Sequence, residues 1–181
     1  PGGAVDADDF EVAQRLKDRF EPDPRLLLHS DGDLAAALPL AGLRELWEET
    51  GLAPKGDPEQ KIDVVPESWR GYFNRFGAPP SDGLRFFFRA ITPPGRPRRF
   101  DARFFVVSAD AFECDLEDFS CASGELSHLR WVNIAAARAL PLPFITEVVL
   151  AELEATFAGD DRSDGVPFFD QTAEGPVFRM L

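Results

Sequence analysis

The stretch Leu43–Leu52, L-R-E-L-W-E-E-T-G-L, constrains this chain more than any other. At 3.6 residues per turn, Leu43, Leu46 and Trp47 form an apolar stripe, and Arg44, Glu45, Glu48 and Glu49 crowd the polar side of an amphipathic helix. Spacings of four stack Glu45 over Glu49 and Arg44 over Glu48, and a spacing of three brings Glu48 beside Glu45. Three glutamates sharing one arginine repel one another. Either the face is fully solvated, or a divalent cation supplies the missing charge, and oxygen donors favour Mg2+ or Mn2+ over zinc. Gly51 then stands where a helix takes its left-handed C-terminal residue.

The string R-E-L-W-E-E-T-G-L resembles the second half of the Nudix box, G-x5-E-x7-R-E-U-x-E-E-x-G-U with U aliphatic, and matches each fixed position of that half. The first half is displaced. Counting back from Arg44 at the family spacing reaches Ala36 and Ser30, where the box has Glu and Gly. The chain opens on P-G-G-A-V-D-A-D-D, which is similar to the P-G-G loop that begins the box. With Gly3 as the box glycine, Asp9 takes the glutamate position. Between Asp9 and Arg44 lie 34 residues instead of seven, an insertion of 27. Such a split box resembles the Nudix branch that includes the peroxisomal coenzyme A diphosphatases. So does a second string, I-T-P-P-G-R-P-R-R-F-D-A-R-F-F, far from the first.

The resemblance implies an α/β/α sandwich with a mixed β-sheet, a helical insertion inside the box (about residues 10–43), and hydrolysis of a diphosphate linked to another moiety. It implies Mg2+ or Mn2+ held by Glu45, Glu48, Glu49 and the Gly3 carbonyl, with Arg44 steering Glu48 by an ion pair. Either Glu45 or Glu125 is then left to take a proton from water. Gly124–Val132 resembles the Nudix segment in which a glutamate, here Glu125, precedes a late strand bearing a tryptophan; a surface ion pair is the other role of Glu125. The branch suggests coenzyme A or an acyl derivative as substrate, cleaved to 3',5'-ADP and a phosphopantetheine, with ADP-ribose, dinucleotides and nucleoside triphosphates open. A Nudix sheet has strands ahead of the P-G-G loop, so the resemblance also implies a segment upstream of Pro1. A catalytically silent domain that binds a nucleotide as sensor or scaffold is the competing class, favoured by the split box and by Asp in place of Glu.

Length and charge narrow the partners. A chain of 181 residues with 44% hydrophobic and 28% charged positions suits one soluble domain with a substantial core. Its net charge of -13 disfavours nucleic acid as a partner and leaves a small nucleotide-type molecule, with metal and local arginines offsetting the field. No apolar run is long enough to span a bilayer, so no membrane is expected. Cys114 and Cys121 read as buried or free thiols of a reducing compartment such as the cytoplasm, and His29 and His128 as non-ligands. Oligomeric state is not encoded legibly.

Along the chain, Phe10, Val12, Ala13, Leu16 and Phe20 have helical spacing from Asp8 to Phe20, capped by Asp8 or Asp9 and ended by Pro22 and Pro24. Arg25 to Asp33 reads as a connecting loop. A helix then runs from about Asp33 through Leu34, Ala37 and Leu38, with Pro39 interrupting it or opening the next. The insertion is therefore a lid or cladding for the core. After a loop at Ala53–Gln60, Trp69, Tyr72, Phe73 and Phe76 favour a short helix on the core, or one of them stacks on a base. Leu84–Ile91 and Phe100–Val107 read as strands, the second with Asp101, Arg103 and Phe105 on one face. Arg96, Arg98 and Arg99 make a basic island before it. Arg98, Arg99 and above all Arg103 are phosphate-binding candidates, with surface ion pairs as the alternative use and Asp101 as partner or competitor of Arg103. Asp110–Ser123 reads as an acidic loop, Ile134–Leu140 as a short helix, and Phe144–Phe157 as a longer one with Ile145, Val148, Val149, Leu153 and Phe157 inward. From Gly159 onward the pattern suggests an irregular arm.

Overall fold

Helix α1 (Ala7–Arg15) starts one residue ahead of the expected aspartates. Asp6 is the cap: its carboxylate accepts the Asp8 N–H at 2.9 Å, and its own N–H donates to the Asp9 carboxylate at 2.8 Å. The helix ends at Arg15 instead of Phe20, because Leu16 N–H is shared between the Val12 and Ala13 carbonyls and the chain turns there. That turn keeps both Leu16 and Phe20 buried. Pro24 begins a further short helix, α2 (Pro24–Leu27), where a loop was expected; proline suits the first helical turn, whose N–H has no partner to lose.

Helix α3 (Gly32–Thr50) begins at Asp31, which accepts the Leu34 N–H at 2.8 Å, and passes through Pro39 unbroken. A proline inside a helix costs about 3 kcal/mol. Burying Leu40 and Leu43 on the same helix contributes roughly 1.5–3 kcal/mol each and offsets it. The acidic segment is thus the last part of a 19-residue helix. Gly51 ends it with φ 72°, donating to the Trp47 carbonyl at 2.7 Å.

This computed structural model describes residues 1–80, 84–159, 165–172 and 174–181. They form an α/β fold with a mixed four-stranded sheet, divided into two units: Pro1–Phe86 with Phe105–Leu129, and Phe87–Phe104 with Arg130–Leu181. The first unit is mainly helical. Val12, Ala13, Leu16 and Phe20 pack with Ala37, Leu40 and Leu43, and with Trp69 and Tyr72. The insertion therefore puts its apolar side chains into the core. Trp69 closes a 3-10 turn (Glu67–Trp69) before α4 (Arg70–Phe76). Trp69 and Tyr72 are fully buried, edge to face at 5.2 Å, so neither offers a face to a nucleobase.

The second unit holds most of the sheet, ordered β2 (Asp101–Val106), β1 (Arg85–Ile91), β3 (Pro167–Thr172), β4 (Gly175–Met180). β1 and β3 are parallel; β3 and β4 are antiparallel. The tail is therefore a pair of strands and not an irregular arm. Its register is set by β1, some eighty residues upstream, which no local period reveals. Trp131 and Val132 are exposed and not in a strand, correcting the expected late strand. Helices α5 (Ile134–Arg138) and α6 (Phe144–Phe157) fall where expected and are joined by an Arg138–Glu154 ion pair. Phe157 is 74% exposed and does not point inward. Among the described residues both cysteines are free, and no helix is long and apolar enough to cross a membrane.

The Tyr72 hydroxyl is buried without a hydrogen-bond partner, and burial raises its pKa. Deleting it removes an unmet polar group and keeps the ring. Tyr72→Phe is expected to leave stability unchanged or raise it by up to about 1 kcal/mol, and Tyr72→Ala to cost about 3–5 kcal/mol, both read by urea unfolding.

Candidate functional site

Helix α3 delivers Arg44, Glu45, Glu48 and Glu49 on successive turns, and the first nine residues lie along that face. Arg44 is the hub. Its Nε and Nη2 donate to the two oxygens of Asp9 at 2.9 and 3.1 Å, and Nη2 also donates to the Ala4 carbonyl at 3.0 Å. Nη1 donates to Glu45 Oε1 at 2.8 Å and Glu48 Oε2 at 2.9 Å. Asp9 and Arg44, 35 positions apart, therefore form a two-pronged ion pair across the insertion.

Asp9 is fully buried and fully engaged. Besides Arg44, it accepts the Trp69 indole N–H at 3.0 Å and the Asp6 N–H at 2.8 Å. A carboxylate so occupied positions others and has no lone pair to spare for a substrate. Trp69 is the member of the site that the sequence concealed, since its aromatic spacing pointed only to packing. Asp8 adds a second tie, accepting from the Ser68 N–H at 3.1 Å and hydroxyl at 2.8 Å.

The P-G-G loop closes over the glutamates. Gly2 N–H donates to Glu49 Oε2 at 3.1 Å, and the Pro1 amine lies 3.7 Å from the same oxygen. A Cβ on Gly3 would fall 2.3 Å from Glu45 Oε1 and 2.8 Å from Oε2, so only glycine lets the backbone lie against that carboxylate.

Three carboxylates share the Arg44 guanidinium here, and a fourth, Glu49, faces the Pro1 amine. Glu49, Glu45 and Glu48 have side chains 8%, 15% and 35% exposed, so the excess negative charge is largely withheld from water. Burial raises the Glu48 carboxyl above its ordinary range, although Arg44 opposes the shift. Burial opposes the charge of Arg44 as well, but the hydrogen bond to Asp9 and the charges of Asp9, Glu48 and Glu45 outweigh it and raise its pKa.

The donors are all oxygens, which suits a hard dication. Among the described residues no three His, Cys, Asp or Glu side chains converge as metal ligands, for Arg44 draws Glu45 and Glu48 to itself while Glu49 turns to Gly2. Glu45 Oε2 and Glu48 Oε1 accept no hydrogen bond from the described residues. Glu125 is exposed in a loop of the same unit; two residues earlier, Ser123 N–H donates to the Glu48 carbonyl at 2.7 Å, anchoring that loop to the end of α3.

The arginine candidates belong to the second unit. Arg98 and Arg99 are exposed, and Arg99 Nε donates to the Thr92 carbonyl at 3.1 Å. Arg103 is 8% exposed and lies 3.0 Å from the Asp101 carboxylate, also donating to its carbonyl at 2.8 Å. Asp101 thus competes for the guanidinium that sequence ranked first for phosphate.

No protein-family model matches the chain, and no curated protein matches it. A crystal structure of a NUDIX hydrolase from Alicyclobacillus acidocaldarius is similar to it, at 27% identity and a TM-score of 0.40, over 62% of this chain and 59% of that one.

Two tests follow from the geometry. Removing Asp9 strands Arg44 and the Trp69 N–H, so Asp9→Ala is expected to cost about 3–5 kcal/mol in chemical denaturation, as for other broken buried pairs; a loss below about 1 kcal/mol would contradict the hub. Glu48 has a folded pKa raised above the ordinary glutamate value of 4.5, so the fold favours its protonated form. Its contribution is complete below the unfolded pKa and is lost as pH rises through the folded one. The metal-free stability of the parent chain relative to Glu48→Gln should therefore decline from about pH 4.5 upward, measured by thermal unfolding in EDTA.

Proposed function

We propose that the chain is a Mg2+- or Mn2+-dependent Nudix-type pyrophosphohydrolase that cleaves a diphosphate linkage in a nucleoside diphosphate derivative. One observation carries the proposal. Asp9, Glu45 and Glu48 share the single guanidinium of Arg44, and Glu49 lies on the same shielded helix face against the Pro1 amine, directly under a glycine loop. Protein folds do not keep uncompensated buried carboxylates without a use for them.

Glu45, Glu48 and Glu49, with the Gly3 carbonyl, are the residues that would hold the cation. When bound, it supplies charge neutralisation for the diphosphate oxygens and acidifies water for attack. Arg44, fixed by Asp9, holds one oxygen each of Glu45 and Glu48 and leaves the other exposed to an incoming ligand. Gly3 admits the loop to the Glu45 carboxylate. Either Glu45 or Glu125 accepts the proton of the attacking water. Glu45 stands on the rigid helix, and Glu125 on a loop that Ser123 ties to it. Coenzyme A or an acyl derivative is the proposed substrate, with the Arg98–Arg99 island available for a phosphate monoester.

A second reading is a silent nucleotide-binding domain. It is favoured by the way Arg44 and Gly2 already occupy one oxygen of each glutamate.

The experiment is a chromatographic product assay over coenzyme A, dephospho-coenzyme A, ADP-ribose and NADH with Mg2+ or Mn2+. Cation-dependent cleavage of at least one is expected, reduced at least about 100-fold in Glu49→Gln with an unchanged unfolding curve. Nucleotide binding without products supports the silent domain instead, and full activity in Glu49→Gln sinks the assignment of the acidic face.

A further inference from the structure

One row of the sheet in the second unit carries a local charge imbalance of the opposite sign. Along it, Arg89 on β1 is in register with Phe168 on β3, and Phe168 with Arg179 on β4. Paired positions share a face. The guanidinium carbons of Arg89 and Arg179 lie 4.5 and 5.1 Å from the Phe168 ring centroid. On β2, Asp101 receives Arg89 Nε and Nη2, both at 2.8 Å, and Arg103 Nη1 at 3.0 Å. Arg179 pairs with Asp170. Three guanidiniums therefore meet two carboxylates, in a chain whose net charge is -13.

Arg89 is 6% exposed, and its Nη1 has no hydrogen-bond partner among the described residues. A guanidinium carries five N–H donors. Asp101 takes the edge formed by Nε and Nη2, and Phe168 fixes the plane by stacking. The remaining edge, both hydrogens of Nη1 and the second hydrogen of Nη2, is the fork that grips phosphate or carboxylate oxygens in pairs. A buried charged donor with nothing to bind is costly, so the vacant edge calls for an acceptor.

We infer that Arg89, with Arg103 and Arg179 beside it, forms a binding site for a phosphate monoester. The ligand's oxygens take the free edge of Arg89 and balance the odd positive charge. Phosphate fits better than a chloride-like ion because the free edge presents parallel donors. Asp101 and Arg179, with side chains 37% and 49% exposed, stand at the solvent side of the row, while Arg89 Nη1 itself is buried, so a ligand reaches it by displacing these side chains. Asp101 and Asp170 keep the row from attracting anions indiscriminately. The site is independent of the acidic helix and needs no dication.

It is tested without one. The intact chain, in EDTA, is titrated with inorganic phosphate and separately with 3',5'-ADP and 5'-AMP, following the 15N resonances of the arginine side chains and the melting temperature. Saturable shifts of the Arg89 signals are expected, with at least tenfold weaker binding in Arg89→Lys, which keeps the charge but loses the fork. Tighter binding of 3',5'-ADP than of 5'-AMP and of inorganic phosphate identifies a nucleotide's monoester as the source; equal affinity for all three identifies the phosphate group alone. Should Arg89→Lys fail to fold, the resonances of the parent chain still decide. No saturable shift at Arg89, or undiminished binding in a folded Arg89→Lys, overturns the site. Neither outcome depends on whether the chain hydrolyses anything.

Discussion

The two-pronged contact between Arg44 and Asp9 is the interaction on which the first unit depends. It joins the start of the chain to the acidic end of α3 across 35 positions, and both partners are buried. A buried ion pair is worth having only when its remaining donors and lone pairs are satisfied. Here Trp69 and the Asp6 backbone complete Asp9, while Ala4, Glu45 and Glu48 complete Arg44. The network fixes three things at once: the entry into α1, the seat of the glycine loop, and the rotamers of two glutamates.

Its burial is supported by the helices between its two partners. Holding Asp9 in a dry site needs a core around it, and residues 10–43 supply one through Val12, Ala13, Leu16, Ala37, Leu40 and Leu43. Pro39 is tolerated for the same reason, because the helix around it is held by tertiary burial and not by its own hydrogen bonds. The extra helices thereby extend the acidic helix backward without disturbing the spacing of its charges.

What could be read in the sequence was whatever depends on near neighbours. The helix of Leu43–Leu52, its Gly51 terminus, the aromatic turn before Phe76 and the strands at Leu84–Ile91 and Phe100–Val107 all follow from periods of 3.6 or 2. The displaced motif singled out Asp9 but gave no sign of its pairing with Arg44. Trp69 gave no sign of its hydrogen bond to Asp9, because an indole spaced for packing looks the same with or without a polar partner. The strands at Pro167–Thr172 and Gly175–Met180 were missed because their pattern is set by β1. Asp101, two residues from Arg103 on the same face, was legible as its partner or competitor; that Asp101 also takes an edge of Arg89 was not.

The two units resolve charge in contrasting ways. Around Arg44 the carboxylates outnumber the guanidinium and face outward by degrees, from buried Asp9 on α1 to the one-third exposed Glu48 on α3. In the sheet the guanidiniums are in excess, and the unpaired edge belongs to the most buried of them, held flat by an aromatic ring. An excess that could be satisfied by rotating a side chain would not persist in this form. Arg89 cannot rotate away, since Asp101 takes one edge and Phe168 one face. A donor immobilised and left unpaired is preorganised for a ligand with oxygens in a fixed geometry, which is the property that separates a phosphate from water.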